Sequence, residues 1–178
     1  EKILKKNVLV VGAGIKTGLN IRIDNPAQLG SDLVVDSVAA IVEYPAPLLI
    51  FDLGTANTVC VIDKNKNYIG GMIYPGIGVS LDSLTAHASQ LGGISIEAPE
   101  HMIGKNTTEC MKSGLIYSSA AAMDGIIDRL QEQLGGEATV IATGGLAKKI
   151  VPHCRREIIL DDDLLLKGLA IIYKKNRK

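Results

Sequence analysis

The run Leu48-Leu49-Ile50-Phe51-Asp52-Leu53-Gly54-Thr55-Ala56-Asn57-Thr58 decides how this chain is read. An apolar strand closes on Asp-X-Gly-Thr, and β-forming residues resume at once in Val59-Cys60-Val61-Ile62. A carboxylate at a strand end, beside a glycine and a hydroxyl, suits a site where a metal ion and a phosphate meet. Gly54 lets the main chain approach an anion without a Cβ in the way, and Thr55 adds a hydroxyl. The same residues also suit an ordinary hairpin turn with a polar start, so the surrounding elements have to decide.

Downstream, the polar turn at 63–67 separates a strand over 58–62 from a returning strand over 68–74. The pattern then predicts a helix over 80–90, with Leu81, Leu84, Ala88 and Leu91 on its inner side. A longer helix over 107–134 is interrupted near Gly114 and stopped by Gly135-Gly136. Strand 138–142, a short helix closed by Pro152, strand 157–160 and helix 161–173 complete the chain. Upstream, Val8-Leu9-Val10-Val11 reads as a short buried strand entering a glycine-rich loop. A helix over 31–44 follows, with Val34, Val38, Ile41 and Val42 on one face. Pro45 and Pro47 break it and mark a boundary between two domains, 1–45 and 46–178.

Composition narrows the function classes. A chain of 178 residues with 47% hydrophobic residues can bury a substantial core. Lys plus Arg equals Asp plus Glu at 19 each, so no overall field recruits nucleic acid or an anionic membrane. With one Phe and no Trp, base stacking is a poor mode of recognition. Three cysteines without paired spacing and no signal peptide point to a reduced, cytoplasmic protein. No apolar run approaches the ~20 residues of a membrane span. The start at Glu1 suggests a fragment.

From Leu48 onward the order is β-β-β-α, then β-α twice. That order resembles the ribonuclease H-like half-domain, with its mixed β-sheet, of the actin, Hsp70 and sugar-kinase superfamily of actin-like ATPases. Those proteins close two such halves on a nucleotide, and each half ends in a strand and a helix. The expected fold is therefore α/β: a complete second half-domain over 46–178, preceded at 1–45 by the last β-α unit of a first half-domain. The earlier strands of that first half, with their own phosphate loop, are expected to be missing.

Local motifs draw the resemblance closer. Gly14-Ile15-Lys16-Thr17-Gly18, Asp24-Asn25-Pro26, Gly30-Ser31-Asp32, and Phe51-Asp52-Leu53-Gly54-Thr55-Ala56-Asn57-Thr58 resemble type III pantothenate kinases in order and spacing. So do Gly70-Gly71, Pro75-Gly76, Ile103-Gly104-Lys105-Asn106-Thr107, Ala142-Thr143-Gly144-Gly145 and Lys167-Gly168-Leu169. The resemblance implies ATP-dependent phosphorylation of pantothenate to 4'-phosphopantothenate, the first step of coenzyme A biosynthesis. It also implies a cytoplasmic homodimer that uses Mg2+ and a monovalent cation, K+ or NH4+.

Carried over residue by residue, the resemblance makes Asp32 the general base that takes the pantothenate hydroxyl proton. Its other reading is a helix N-cap, with Ser31 or Asp32 in that position. Asp52 matches the monovalent-cation ligand. Thr55, with Gly54, matches the ATP phosphates, and Gly144 and Gly145 fit the loop where adenosine lies. Pantothenate would meet Gly30, Ser31, Asp32, Leu33, Ile23 and Thr107, although Asn106 or Thr107 could equally cap a helix.

Two positions depart from the family. Its members usually follow the catalytic Asp with Arg, and here Leu33 stands there; a leucine supplies neither hydrogen bond nor charge. Ile23 replaces a frequent Tyr. Both departures fall on the pantothenate side and suit either a divergent kinase or an impaired paralogue. In the second case the protein keeps nucleotide binding or a dimer and acts as a regulator or scaffold. Other motifs read more simply. Gly12-Ala13-Gly14-Ile15-Lys16-Thr17-Gly18 meets neither the dinucleotide nor the P-loop spacing. Asp161-Asp162-Asp163 reads as a helix start, Ser118–Ala122 as close helix contact or a dimer seam, and the basic C-terminus as a solvated helix end.

Overall fold

A computed structural model describes residues 8–177. Six strands form one mixed sheet: β1 (Asn20–Ile21), β2 (Leu48–Leu53), β3 (Ala56–Ile62), β4 (Asn67–Pro75), β5 (Thr139–Thr143) and β6 (Ile159–Leu160). β2, β3 and β4 run antiparallel in succession. β5 lies parallel on the other side of β2 with β6 beyond it, and β1 pairs parallel with the start of β4. The sheet order is thus β1-β4-β3-β2-β5-β6.

β2 is central and covered on both faces, which explains why Leu48 to Phe51 read as an unbroken apolar run. Leu49, Phe51 and Leu53 enter one core with α2 (Ile77–His87), α3 (Thr107–Leu134) and α4 (Ala147–Ile150). Leu48 and Ile50 enter the other, beneath α1 (Ser31–Glu43) and α5 (Leu164–Asn176). α1 lies between the sheet and α5, so Val34 through Ile41 are all buried, charge included. The stripe expected from the sequence is therefore too narrow at its centre and too long at its end. Val42 turns outward and is 56% exposed.

Several expectations are corrected. Val8, Leu9 and Val10 form no strand and are exposed. A strand needs a neighbour for its N–H and C=O groups, and none stands beside them among the described residues. α2 begins at Ile77, because Ile77 and Leu81 face the core while Leu84 is exposed. α3 passes Gly114 without a break. Burial of Met111, Leu115 and Ile116 outweighs the roughly 1 kcal/mol a helical glycine costs. α5 starts at Leu164 instead of Asp161. Its end is not merely solvated: Lys175 Nζ donates to the Thr17 carbonyl, while Asn176 accepts from Lys16 N (3.1 Å) and returns a bond to Lys16 O (2.9 Å). These bonds fasten the glycine-rich loop. Residues 1–7 of the expected first domain lie outside the described residues. Among the described residues no helix is long and apolar enough to cross a membrane.

Candidate functional site

Strand alternation fixes where Asp52 points. Leu48 and Ile50 face α1, so Asp52, two residues on, shares that face. Its register partners are Thr58 on β3 and Thr143 on β5, each following the same face as Cys60 and Ile141. A half-buried carboxylate thus ends β2 between two threonines.

The loop behind it is braced from two sides. Gly76 N donates to Thr55 O (3.0 Å), and a Cβ on Gly76 would strike the Gly54 and Thr55 carbonyls. Leu146 N donates to Leu53 O (3.1 Å), which brings the β5–α4 loop alongside. Gly144, at φ +92°, sits where any Cβ would collide with Asp52 Oδ1 and the Leu53 backbone. Thr55 and Gly145 are exposed at the surface of this loop pair. The ordinary-turn reading of the opening motif does not explain why two other loops close on it.

Across from this loop stands the N-terminus of α1. Gly30 occupies the cap position without a side-chain bond, so neither Ser31 nor Asp32 caps the helix. Asp32 lies in the first turn, exposed, with Oδ1 accepting from Leu33 N (3.0 Å). Asp32, Gly30, Leu33 and Ile23 line one open groove of about 560 Å³, together with Thr58 and Ile73. Exposed Ser31 lies between two of those lining residues in sequence. Burial, and then the charge of Asp32, raise the Asp52 carboxyl above its usual range. Asp32 and Asp52 therefore share one electrostatic neighbourhood. Thr107 is not in this group. It opens α3, where Asn106 does the capping by accepting from Glu109 N (2.9 Å).

The sequence reading missed Asp36. It is 2% exposed, one helical turn after Asp32, and its Oδ1 has no hydrogen-bond partner. Burial, Asp52, Asp32 and Asp161 together push its carboxyl up to about 7. The signal was a lone charge inside Val34-Val35-Asp36-Ser37-Val38, spaced four residues from Asp32. These donors are all oxygens, which suits a hard cation. Among the described residues no three His, Cys, Asp or Glu side chains are grouped to hold a metal ion, so a cation here would rely on carboxylate, hydroxyl and substrate oxygens. A larger cleft of about 630 Å³ near Tyr117 and His153 is a weaker candidate. Both of its carboxylates are already engaged: Asp124 accepts from the Arg155 and Arg156 amides, and Asp128 pairs with Arg156 at 2.6 Å.

Three antiparallel strands followed by parallel units, with a carboxylate-glycine loop ending the first strand, define a ribonuclease H-like half-domain of the actin-like ATPase class. A family profile described as type III pantothenate kinase matches residues 1–129. A type III pantothenate kinase of Exiguobacterium sp. strain AT1b is 46% identical over 170 residues, covering 96% of this chain and 66% of the relative. The enzyme of the same name from Bacillus cytotoxicus is 46% identical over 176 residues, covering 99% and 67%. The chain belongs to the type III pantothenate kinase family. It spans about two thirds of the length of these curated relatives. A crystal structure from Campylobacter jejuni, described as a Baf family transcriptional activator, is similar with a TM-score of 0.57 at 22% identity. That match covers 88% of this chain and 68% of the other, and the likeness is one of fold alone.

Proposed function

We propose that the protein carrying this chain transfers the γ-phosphate of ATP to pantothenate, giving 4'-phosphopantothenate and ADP at the start of coenzyme A biosynthesis. The observation that carries this reading is the groove lined by Asp32 and by Thr58, the strand partner of Asp52, with Asp32 close enough for its charge to raise the Asp52 carboxyl. Asp32 takes the hydroxyl proton as the pantothenate oxygen bonds to the γ-phosphorus and the bond to the β-phosphate oxygen breaks. Phosphoryl transfer asks little more of a protein than in-line placement and charge neutralisation. Gly54 and Thr55 meet the phosphates, Gly144 and Gly145 border the adenosine, and Gly30, Ser31, Leu33 and Ile23 meet pantothenate. Asp52 would hold a monovalent cation, K+ or NH4+, which with Mg2+ supplies charge neutralisation at the phosphates. Residues 1–45 belong to a first half-domain and 46–178 to a second, so that the reacting groups face each other across their junction. The protein works as a cytoplasmic homodimer, without nucleic acid or membrane.

Leu33 favours a second reading. An apolar side chain lines the groove where relatives usually place a guanidinium, which suits an impaired paralogue that binds nucleotide and regulates or scaffolds. A coupled ADP-release assay on the intact protein separates the two. The kinase reading expects turnover with pantothenate that falls ~10²–10⁴-fold in Asp32→Asn. Nucleotide binding without turnover supports the paralogue.

A further inference from the structure

Beneath α1, the carboxylates of Asp36 and Asp52 share one neighbourhood, and among the described residues neither is paired with a basic side chain. Asp52 reaches up from the end of β2, and Asp36 reaches down from the second turn of α1. Neither accepts a hydrogen bond or forms an ion pair among the described residues, and Asp36 Oδ1 is both buried and unpartnered. A second buried oxygen is orphaned beside Asp52: Thr58 Oγ1, without a partner, on the residue directly opposite it in the sheet. Leaving such groups unmet costs about 1–3 kcal/mol each for neutral donors and acceptors and more for a charge. A native fold does not keep several of them together without something to meet them.

A proton or a cation could do so. We propose that Asp36 joins Asp52 in holding a hard, oxygen-coordinated cation between α1 and the end of β2, with the Thr58 hydroxyl turned toward it. The inference rests on reading Asp52 as a cation ligand and adds a second carboxylate that no part of that reading contains. Three features favour the cation. The donors come from three separate elements, α1, β2 and β3, so an ion there ties the helix to the sheet at the point where Asp32 is displayed. All donors are oxygens, which select alkali or alkaline-earth ions over zinc or copper. Finally, Asp36 Oδ1 is buried with no partner, so an ion there would meet an oxygen that neither water nor protein satisfies.

Asp36 also has a distinct place in the helix. It sits four residues from Asp32, on the same side of α1. An ion held at Asp36 would therefore fix the rotation of the turn that presents Asp32 to the groove. Asp36 is in this sense a positioning residue.

The test needs no turnover. Thermal unfolding of the intact, nucleotide-free protein is followed at pH 8 and constant ionic strength while choline chloride is replaced by KCl, NH4Cl or MgCl2. The expected result is a rise in Tm with at least one of these ions, the K+ and Mg2+ arms distinguishing which. In Asp36→Asn the apparent affinity for that ion drops ~10-fold or more, while the variant in choline buffer stays at least as stable as the parent, showing that it folds. A parent with no ion-specific rise, or a variant whose ion affinity falls by less than that, overturns the proposal and leaves a shared proton as the account. Turnover with pantothenate despite such a result would sink this inference alone. Ion binding through Asp36 without turnover would sink the kinase reading alone.

Discussion

Two buried aspartates lie on the same side of the sheet and meet opposite fates. Asp161, 6% exposed, accepts from Lys167 Nζ at 2.7 Å, from the Tyr44 hydroxyl at 2.8 Å and from Asp163 N at 3.2 Å. Burial alone would raise its carboxyl, but these partners outweigh burial and hold it below the usual range. Asp36 is buried at least as deeply and has no partner for Oδ1, and its carboxyl moves the other way. Burial of an acid is thus not what marks a functional site. Asp161 joins the residue ending α1 to the first turns of α5, and its environment was built to accept a charge. The environment of Asp36 was left open on one side.

The largest expected effect is the pH response of the unsatisfied member. In choline salts, both folded and unfolded chains hold the Asp36 proton below about pH 4. Between there and about 7 only the folded chain holds it, so stability falls as pH rises through that window and levels off above it. The shift corresponds to a loss of about 4 kcal/mol, and Asp36→Asn should remove it. Urea midpoints of the intact protein from pH 4 to 8 measure the slope; equal slopes in parent and variant would remove the contrast altogether.

Asp161 bends the profile in the opposite sense. Its carboxyl is depressed, so its contribution is present above the unfolded value of 3.8 and is lost as pH falls through and below that value. At neutral pH, Asp161→Ala strands the Tyr44 hydroxyl and the Lys167 ammonium and should cost about 2–3 kcal/mol, read as a lower urea midpoint at unchanged slope. A cost near zero would mean that its three bonds merely replace water.

What was legible in the sequence follows the same division. Local signals carried the architecture: the apolar run into Asp52, the turn at 63–67, the α1 periodicity and the Gly135 stop each lie within a few residues of what they specify. Asp63, for instance, closes its own hairpin by accepting from Asn65 N and Asn67 N. Nothing local marks the partners of Asp161, since Tyr44 lies 117 residues away, so its acidic run read as a helix start. The Lys175 and Asn176 contacts to residues 16 and 17 span about 160 residues and were equally hidden. Val8 to Val11 failed for a related reason, because strand propensity is local whereas a strand's hydrogen bonds are not. At the candidate site, Asp32 and Asp52 were visible through their glycines, while Asp36 looked like an interruption of an apolar face.

A smaller effect is expected where the loop behind Asp52 is braced. Gly144→Ala puts a methyl group against Asp52 Oδ1 and the Leu53 backbone, at a φ that side chains rarely adopt. A cost of about 1–2 kcal/mol follows from the strained φ, and the displaced Asp52 should weaken whatever it binds. Circular dichroism melting reads the first part. A fully parental Tm would show that the loop gives way freely and that Asp52 is not held in place from this side.

The finest discrimination comes from Tyr44→Phe. The ring stays packed among the residues of the α1-side core, so no cavity opens and only the hydroxyl is lost. Asp161 keeps Lys167 and the Asp163 amide, so the expected cost is about 1 kcal/mol, a fraction of that for Asp161→Ala. The acid limb of the stability profile should also move to higher pH, because one of the bonds holding the carboxyl down has gone. A cost equal to that of Asp161→Ala would place the whole contribution in the Tyr44 bond and make Lys167 a bystander. No cost, together with an unmoved acid limb, would mean that Asp161 is satisfied without Tyr44, and the contrast with Asp36 would then rest on Lys167 and the Asp163 amide.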